Sequence, residues 1–413
     1  MKIALISYEY PPDTALGGIA TYMVHAARML HERGHHVEVF AASPSQTATF
    51  DDGGVIVHRV RETGRFDFPF RIAPLFANRH ASIGFDVIEA PEYFADAAGV
   101  IQLVPNIPLV VKLHTPSYLL WRTTFGHSRW YMARNYFASV RRGELPPWNP
   151  NHGQERQCAL AADEVVGPCQ AIANEVAQAW DLPRKLVAVF PNVYEPNETL
   201  LQIDPHTNTQ TVTFVGRLEV RKGVIALAAA IPLILRENPN LRFRFVGRSV
   251  ELRKGVEMID HLKRVLAAYE KSVEFTGPLP LDQMPKMLSE TDICVFPSIW
   301  ENFPNVCLEA MSAARGVVGS SAGGMKEILD DGAVGRLVAP NRPRELADAV
   351  LELAAKPSLR IELGIKARAR VLSQYCPARV GRLQEESYAR AIAHRKNNGP
   401  RVFRDSTVHK NAG

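Results

Sequence analysis

Strand-like and helix-like segments alternate along most of this chain, and they do so in two successive rounds. The first round has short apolar runs at residues 2–8, 37–40, 55–60, 85–88, 109–113 and 164–166. The second has them at residues 211–216, 242–247, 273–277, 293–297 and 317–319. Such alternation predicts βαβ units around parallel sheets that are buried on both faces. We therefore predict an α/β protein with two tandem Rossmann-like, doubly wound domains that face each other across a cleft.

A turn-rich stretch at residues 191–208 separates the two rounds. We place the N-terminal domain at residues 1–196 and the C-terminal domain at residues 197–377. A last helix is predicted at residues 378–396, and the basic tail at residues 397–413 is predicted to be disordered because it has few apolar residues. The chain has 413 residues, which is enough for two separate cores.

Charge and cysteine content exclude several classes of protein. The formal net charge of +5 suits a phosphate-bearing ligand but falls short of a nucleic-acid-binding signature. Five cysteines without a C-x-x-C spacing indicate reduced thiols and no disulfide framework. No apolar run reaches the roughly 18–20 residues of a membrane span, and the first apolar run is short for a signal peptide. We expect a cytoplasmic protein that is soluble or peripheral at the inner face of the membrane.

Two carboxylates seven residues apart flank a loop-to-helix junction. Glu301 precedes Pro304, and Glu309 lies more than one turn inside the predicted helix. Proline suits the start of a helix, where backbone N–H groups are free and the helix dipole favours an anion. We predict that the N–H groups of Phe303, Asn305 and Val306 face a phosphate. The alternative is one acidic residue near a helix end and one solvated glutamate.

A second motif places cations between a strand and a helix. Gly216 allows close backbone approach, while Arg217 and Lys222 are spaced to converge on a diphosphate. The alternative is that both are solvated surface cations.

Further candidates lie at other strand ends. Gly17 and Gly18 follow the first predicted strand, and the pair at 323–324 follows the last; either pair would let amides approach phosphate or sugar oxygens. His114 ends the strand at 109–113, although a lone histidine is often structural. There is no G-x-G-x-x-G motif, so a dinucleotide site is disfavoured. There is also no HExxH, DxD-type or Cys/His cluster, and we predict no metal site.

Together these motifs resemble glycosyltransferase family 4, the glycosyl transferases of group 1, from residue 1 to about residue 394. The most specific parts are the E-x7-E of Glu301 and Glu309, which continues as Glu309-Ala310-Met311, and the G-R-x4-K-G that begins at Gly216. The chain departs from the family pattern at 191–193, 247–249 and 314–318, which leaves hinge and loop detail open while every motif carboxylate is retained.

The resemblance implies a GT-B fold, an N-terminal acceptor domain, a C-terminal nucleotide-sugar donor domain and a last helix that returns to the N-terminal domain. It implies that Arg217 and Lys222 hold the donor diphosphate and that His114 lies beside the sugar. Glu301 would bind hydroxyls of the transferred sugar, and Glu309 those of the ribose. The loop at residues 275–279, with Gly277 and Leu279, would flank the nucleobase.

The resemblance also implies a retaining, metal-independent transfer without a cofactor, with the nucleotide sugar as substrate and UDP or GDP as the expected nucleotide. The acceptor would be a glycan, a lipid-linked or a small-molecule hydroxyl, in polysaccharide, cell-envelope or glycoconjugate biosynthesis. No nucleic-acid partner is expected. A nucleotide-sugar epimerase or a phosphorylase on the same fold, or a non-catalytic sugar-nucleotide-binding protein, remain alternatives.

Aromatic and arginine side chains are interleaved at residues 118–148. They suit contact with a membrane or a lipid-linked acceptor, and they equally suit a helix that packs its aromatic residues inward.

Overall fold

The computed structural model of this protein describes residues 1–14, 17–62, 64–126, 129–253 and 255–403. Each half of the chain contains its own sheet of mainly parallel strands with helices on both faces. The predicted α/β architecture of two Rossmann-like domains is therefore confirmed.

The N-terminal sheet has eight strands, and the strand order proceeds in opposite directions from two neighbouring strands near its centre. Its spatial order is β3 (Ala48–Asp52), β4 (Val55–Arg61), β2 (His36–Ser43), β1 (Lys2–Ser7), β5 (Val87–Pro91), β6 (Leu109–Lys112), β7 (Glu164–Gly167), β8 (Val187–Val189). Its helices are α1 (Gly18–Glu32), α2 (Phe68–Ile83), α3 (Ala98–Leu103), α4 (Ser117–Phe125), α5 (Arg129–Arg142), α6 (Glu155–Leu160), α7 (Gln170–Trp180). The strand order reverses between β1 and β5, so the ligand crevice is expected at their carboxyl ends.

The C-terminal sheet repeats this plan in the order β13 (Val273–Gly277), β10 (Arg242–Val246), β9 (Thr211–Val215), β14 (Ile293–Phe296), β15 (Gly316–Ser320), β16 (Arg336–Val338). A small hairpin, β11 (Glu251–Arg253) and β12 (Val256–Glu257), stands apart from it. The helices are α8 (Glu198–Leu201), α9 (Val224–Glu237), α10 (Met258–Val265), α11 (Met284–Ser289), α12 (Asn305–Ser312), α13 (Met325–Ile328), α14 (Pro343–Ala355), α15 (Pro357–Gln374). Apolar residues of the strands and helices form a core on each face of the sheet.

Most predicted elements occur within a few residues of their expected positions, and the exceptions have local causes. Strand β3 runs antiparallel to β4 at the sheet edge, and its mostly exposed, acid-ended sequence carries no apolar run that would reveal it. The helix expected at residues 259–269 ends at Val265 and continues as 3₁₀ turns, where Tyr269 leaves helical geometry with φ −120°.

The last helix, α16 (Pro377–Asn398), crosses back to the N-terminal sheet. The buried Glu89 carboxylate on β5 accepts hydrogen bonds of 2.9 Å from both Gln384 and Tyr388. Arg401 also donates to the buried carboxylate of Asp163, at 2.5 Å. The prediction of disorder from residue 397 is therefore wrong for residues 397–403, because a buried acid binds this end of the chain. Residues 404–413 of the predicted tail lie outside the described part of the chain.

Candidate active site

The cation motif folds as a tight turn between β9 and α9. Gly216 follows β9 with φ +151°, and Gly223 ends a 3₁₀ turn with φ +75°. A Cβ on Gly223 would lie 1.9 Å from the carbonyl oxygen of Pro297, so only glycine permits this approach to the end of β14. The turn thereby brings Lys222 next to the loop that carries Glu301.

Lys222 and Glu301 form an ion pair in a mostly buried position. Ser298 donates a 3.0 Å hydrogen bond to the same carboxylate oxygen, and Arg221 lies 3.8 Å from the other oxygen. Burial alone would raise the pKa of Glu301, but Lys222, Arg221 and Ser298 together hold that pKa below its usual value. Burial lowers the pKa of Lys222, and Glu301 partly offsets this effect. The carboxyl of Glu301 is therefore ionised at neutral pH and faces the Lys222 amine.

Arg221 is a member of this cluster that the sequence motif alone did not identify. Its guanidinium donates to Glu219 at 2.8 Å and to the Trp300 carbonyl at 3.3 Å, and the residue is buried. Glu219 also pairs with the half-exposed Arg217 at 3.2 Å. The sequence could not identify Arg221 because it shows only an arginine beside a lysine and does not show that the arginine is buried. The turn thus holds three cations and leaves Arg217 as the most exposed of them.

Helix α12 begins beside this cluster. Pro304 is its N-cap residue, and Asn305 is the first helical residue. Within the described residues, no atom accepts a hydrogen bond from the N–H groups of Phe303, Asn305 or Val306. Free N–H groups at the positive end of a helix can bind an oxyanion.

Glu309 lies one turn into α12, and its side chain is partly buried. No hydrogen-bond partner of its carboxylate occurs among the described residues, and burial raises its pKa to about 7. A partly buried carboxylate without a partner costs stability and has its acceptor oxygens free for a ligand.

We predict that Glu309→Gln raises the stability of the ligand-free protein at pH 8 and changes it little at pH 5. The carboxyl pKa is raised on folding, so wild-type stability is lost as pH rises from about 4.5 to about 7, whereas glutamine has no such titration. The difference at pH 8 should reach on the order of 1–3 kcal/mol. Denaturant unfolding of both proteins at the two pH values measures it. An equal difference at both pH values would contradict a Glu309 carboxyl whose pKa is raised on folding.

His114 stands two residues beyond β6 and is buried. Its backbone N–H donates to both carboxylate oxygens of Glu92, at 2.9 and 2.8 Å, and its ring meets the edge of Tyr22 at 5.2 Å. Burial, together with nearby Lys112, lowers the pKa of His114 to about 3. Its ring is therefore neutral at physiological pH. Its Nε2 has no hydrogen-bond partner within the described residues.

Other predicted positions lie at the ends of secondary-structure elements or on the C-terminal core. Gly17 is the N-cap of α1, and a Cβ on it would lie 3.4 Å from Glu9, whereas Gly18 has open space around it. Gly277 ends β13 with φ +74°. Leu279 packs on the same C-terminal core as Phe303 and Val306.

The structure thus joins some of the predicted residues directly and leaves others apart. Lys222 contacts Glu301, and the side chain of Asn302 donates to the carbonyl oxygen of His114 from the opposite domain. Among the described residues, Glu309, Gly17 and Gly277 have no hydrogen bond or ion pair to that cluster. In the described ranges, no group of three or more His, Cys, Asp or Glu side chains could hold a metal ion. No helix in the same ranges is long and apolar enough to cross a membrane.

Comparison with known proteins assigns both domains to glycosyltransferase families. Residues 16–198 match the family model described as Glycosyltransferase Family 4, and residues 209–356 match the one described as Glycosyl transferases group 1. D-inositol 3-phosphate glycosyltransferase of Corynebacterium aurimucosum is 25% identical over 88% of this chain and 90% of its own.

Solved structures of the same fold cover nearly the whole chain. Sucrose-phosphate synthase from Thermosynechococcus elongatus superposes with a TM-score of 0.69 at 20% identity, covering 94% of this chain and 99% of that one. Anabaena HepE in complex with UDP and glucose superposes with a TM-score of 0.63 at 18% identity, covering 94% and 100%. With both family models matched and the GT-B architecture in place, the chain belongs to glycosyltransferase family 4 and is a glycosyltransferase.

Proposed function

We propose that this enzyme transfers a sugar from a nucleoside-diphosphate donor, with UDP as the favoured nucleotide, and that the anomeric configuration is retained. The observation that carries the proposal is the pairing of Lys222 and Arg221 with Glu301, next to Arg217 on the same turn and to the free amides of α12. UDP is favoured over GDP because HepE, a protein of the same fold, was solved with UDP and glucose. We place the acceptor, a hydroxyl of a glycan, a lipid-linked sugar or a small molecule, on the N-terminal domain.

Charge placement supplies the mechanism. Breaking the anomeric bond develops negative charge on the departing diphosphate, which Arg217, Lys222 and the amides at the start of α12 are placed to stabilise. Glu301 accepts hydrogen bonds from hydroxyls of the transferred sugar once Lys222 turns to the phosphate. His114, neutral because its pKa is about 3, offers a hydrogen bond and no proton source. In a retaining transfer, the departing phosphate oxygen takes the acceptor proton on the same face of the ring.

Ligand-dependent stability tests this proposal. Thermal unfolding is measured with UDP, GDP, ADP and their glucose conjugates, each raised to saturation. A nucleotide at 100 times its Kd stabilises a folded protein by about 2.7 kcal/mol. We expect UDP and its sugar to reach this shift at the lowest concentrations. Absence of a shift for every nucleotide would contradict the proposal.

We predict that turnover survives chelation, because the diphosphate site is already cationic. Activity should be the same in 5 mM EDTA as in buffer, within about twofold, once a donor is identified. A loss of activity in EDTA that Mg²⁺ or Mn²⁺ restores would show that a metal takes part.

The aromatic segment at residues 118–148 divides into an inward and an outward part. Tyr118 is buried against Trp180, with ring centroids 6.0 Å apart. On α5, by contrast, Trp130 and Phe137 are 70% and 64% exposed. Arginines lie on the same helix, and residues 127–128 between α4 and α5 fall outside the described residues. The outward face of α5 combines apolar rings and cations, as a helix at an anionic membrane surface does.

We predict that this face promotes binding to anionic vesicles. Changing Trp130 and Phe137 to Ser, or Arg141 and Arg142 to Ser, should each weaken binding to phosphatidylserine-containing vesicles at least tenfold, because both apolar insertion and charge contribute. Phe66→Ser is the matched control, since Phe66 is 76% exposed elsewhere on the N-terminal domain. Vesicle sedimentation measures the binding. Equal sedimentation of all four proteins would refute the prediction.

A further inference from the structure

The carboxylate of Glu327 reaches across from the C-terminal domain to a helix of the N-terminal domain. It accepts hydrogen bonds from the backbone N–H groups of Gln170, at 2.8 Å, and Ala171, at 3.0 Å. These are the first residues of α7, whose N-cap residue, Cys169, provides no side-chain cap. Glu327 therefore satisfies two helix N–H groups and places its negative charge at the positive end of the helix dipole.

Two neighbouring contacts cross between the same domains. Asn302, which follows Glu301, donates to the carbonyl oxygen of His114 and accepts a 3.2 Å hydrogen bond from the Cys169 thiol. A Cβ on Gly324 would lie 2.7 Å from that thiol sulfur, so glycine allows the domains to approach closely here. The Gly323-Gly324 pair thus lies at the domain contact.

The segment that carries Glu327 is tied to the candidate donor site. The Gly324 N–H donates a 2.8 Å hydrogen bond to the carbonyl oxygen of Glu301. Arg370 donates to the backbone carbonyls of Glu327, at 2.9 Å, and Ile328, at 3.1 Å. Glu301, Asn302 and Glu327 therefore belong to one connected unit, and docking this unit on α7 also fixes it against His114.

We propose that Glu327 is a positioning residue that holds the two domains closed during transfer by capping α7. Both of its carboxylate oxygens are occupied by amides of the other domain, so it acts through this contact and not by binding the donor. Its kinetic consequence rests on the proposed function, whereas the contact itself does not. Closure matters because it excludes water, which would otherwise accept the sugar.

Amide hydrogen exchange tests the contact on the full chain without ligand. In Glu327→Ala, exchange at Gln170 and Ala171 should accelerate at least tenfold, while the later amides of α7 keep their protection. Glu362→Ala is the matched control, since Glu362 is exposed and pairs only with Lys366 among the described residues. If the alanine variant does not fold, Glu327→Gln, with one acceptor oxygen and no charge, should show an intermediate acceleration. Unchanged exchange would overturn the proposal.

Kinetics then separate positioning from donor binding. Glu327→Ala should lower kcat for transfer about tenfold, leave the Kd for UDP within about twofold of wild type and raise the share of donor lost to hydrolysis. A large loss of UDP affinity would make Glu327 a donor ligand and overturn the proposal. If the protein binds no nucleotide, the proposed function fails, and hydrogen exchange still decides whether the contact exists.

Discussion

Replacing Lys222 by Met is expected to lower kcat/KM for the donor by about a hundredfold to a thousandfold, because the change removes a cation placed where leaving-group charge develops. Methionine keeps most of the side-chain volume. Among the described residues, the carboxylate of Glu301 would then retain Ser298 and the more distant Arg221 as partners. Its pKa should rise towards the usual range, since Lys222 is the main group that lowers it.

Steady-state kinetics on purified Lys222→Met measure this effect, with Lys366→Met as the control. Lys366 is an exposed lysine that pairs with Glu362 on α15, so its removal should leave kcat/KM unchanged. A Lys222→Met enzyme with wild-type kcat/KM would show that the cation does not serve the reaction. Equal losses in both variants would point to a general effect of charge.

The two carboxylates of the E-x7-E motif should respond differently to the same substitution. Glu301→Gln should chiefly lower kcat, by roughly tenfold to two hundredfold, because a charged acceptor that positions the reacting sugar is lost. Glu309→Gln should instead raise donor KM and weaken UDP binding by a similar factor, since a ribose contact is present in both the ground state and the transition state.

Calorimetry with UDP together with donor kinetics decides between these roles. Weak UDP binding by Glu301→Gln with normal binding by Glu309→Gln would reverse the assignment. Retained activity in both variants would mean that the site lies elsewhere. Glu309→Gln should also be more stable than the ligand-free wild type at pH 8. The wild-type carboxylate would thus lower stability while it increases affinity for the nucleotide.

Most sheet strands of both domains could be predicted because buried parallel strands appear as short apolar runs between helical patterns. In the two large sheets, the strands without a prediction, β3, β8 and β16, all lie at sheet edges. Strand β3 escaped prediction because its exposed edge position requires no apolar run. The E-x7-E and G-R-x4-K-G motifs predicted Glu301 and Lys222, and the fold brings these two side chains into contact.

Other parts of the site depend on contacts that a sequence pattern does not record. From the sequence alone, Arg221 would be assigned as a surface cation. In the structure it is buried and donates hydrogen bonds to Glu219 and to the Trp300 carbonyl. Glu92 holds the His114 loop from 22 residues away, and Glu327 reaches Gln170 across 157 residues. These contacts join residues that the tertiary fold brings together, so they cannot be predicted from periodicity or motif spacing. The contact of Arg401 with Asp163 is likewise set by the tertiary fold, because Asp163 lies in the N-terminal domain.

Transfer from a nucleotide sugar with retention of configuration can be tested with water as the acceptor. Proton NMR can follow UDP-α-glucose, or whichever α-linked donor stabilises the protein most, and identify the first free sugar before mutarotation. We expect slow release of the α-anomer by the wild-type protein, and this release should be lost in Lys222→Met. First release of the β-anomer would contradict retention, and absence of donor cleavage across the full panel, with and without acceptor sugars, would contradict the proposed reaction.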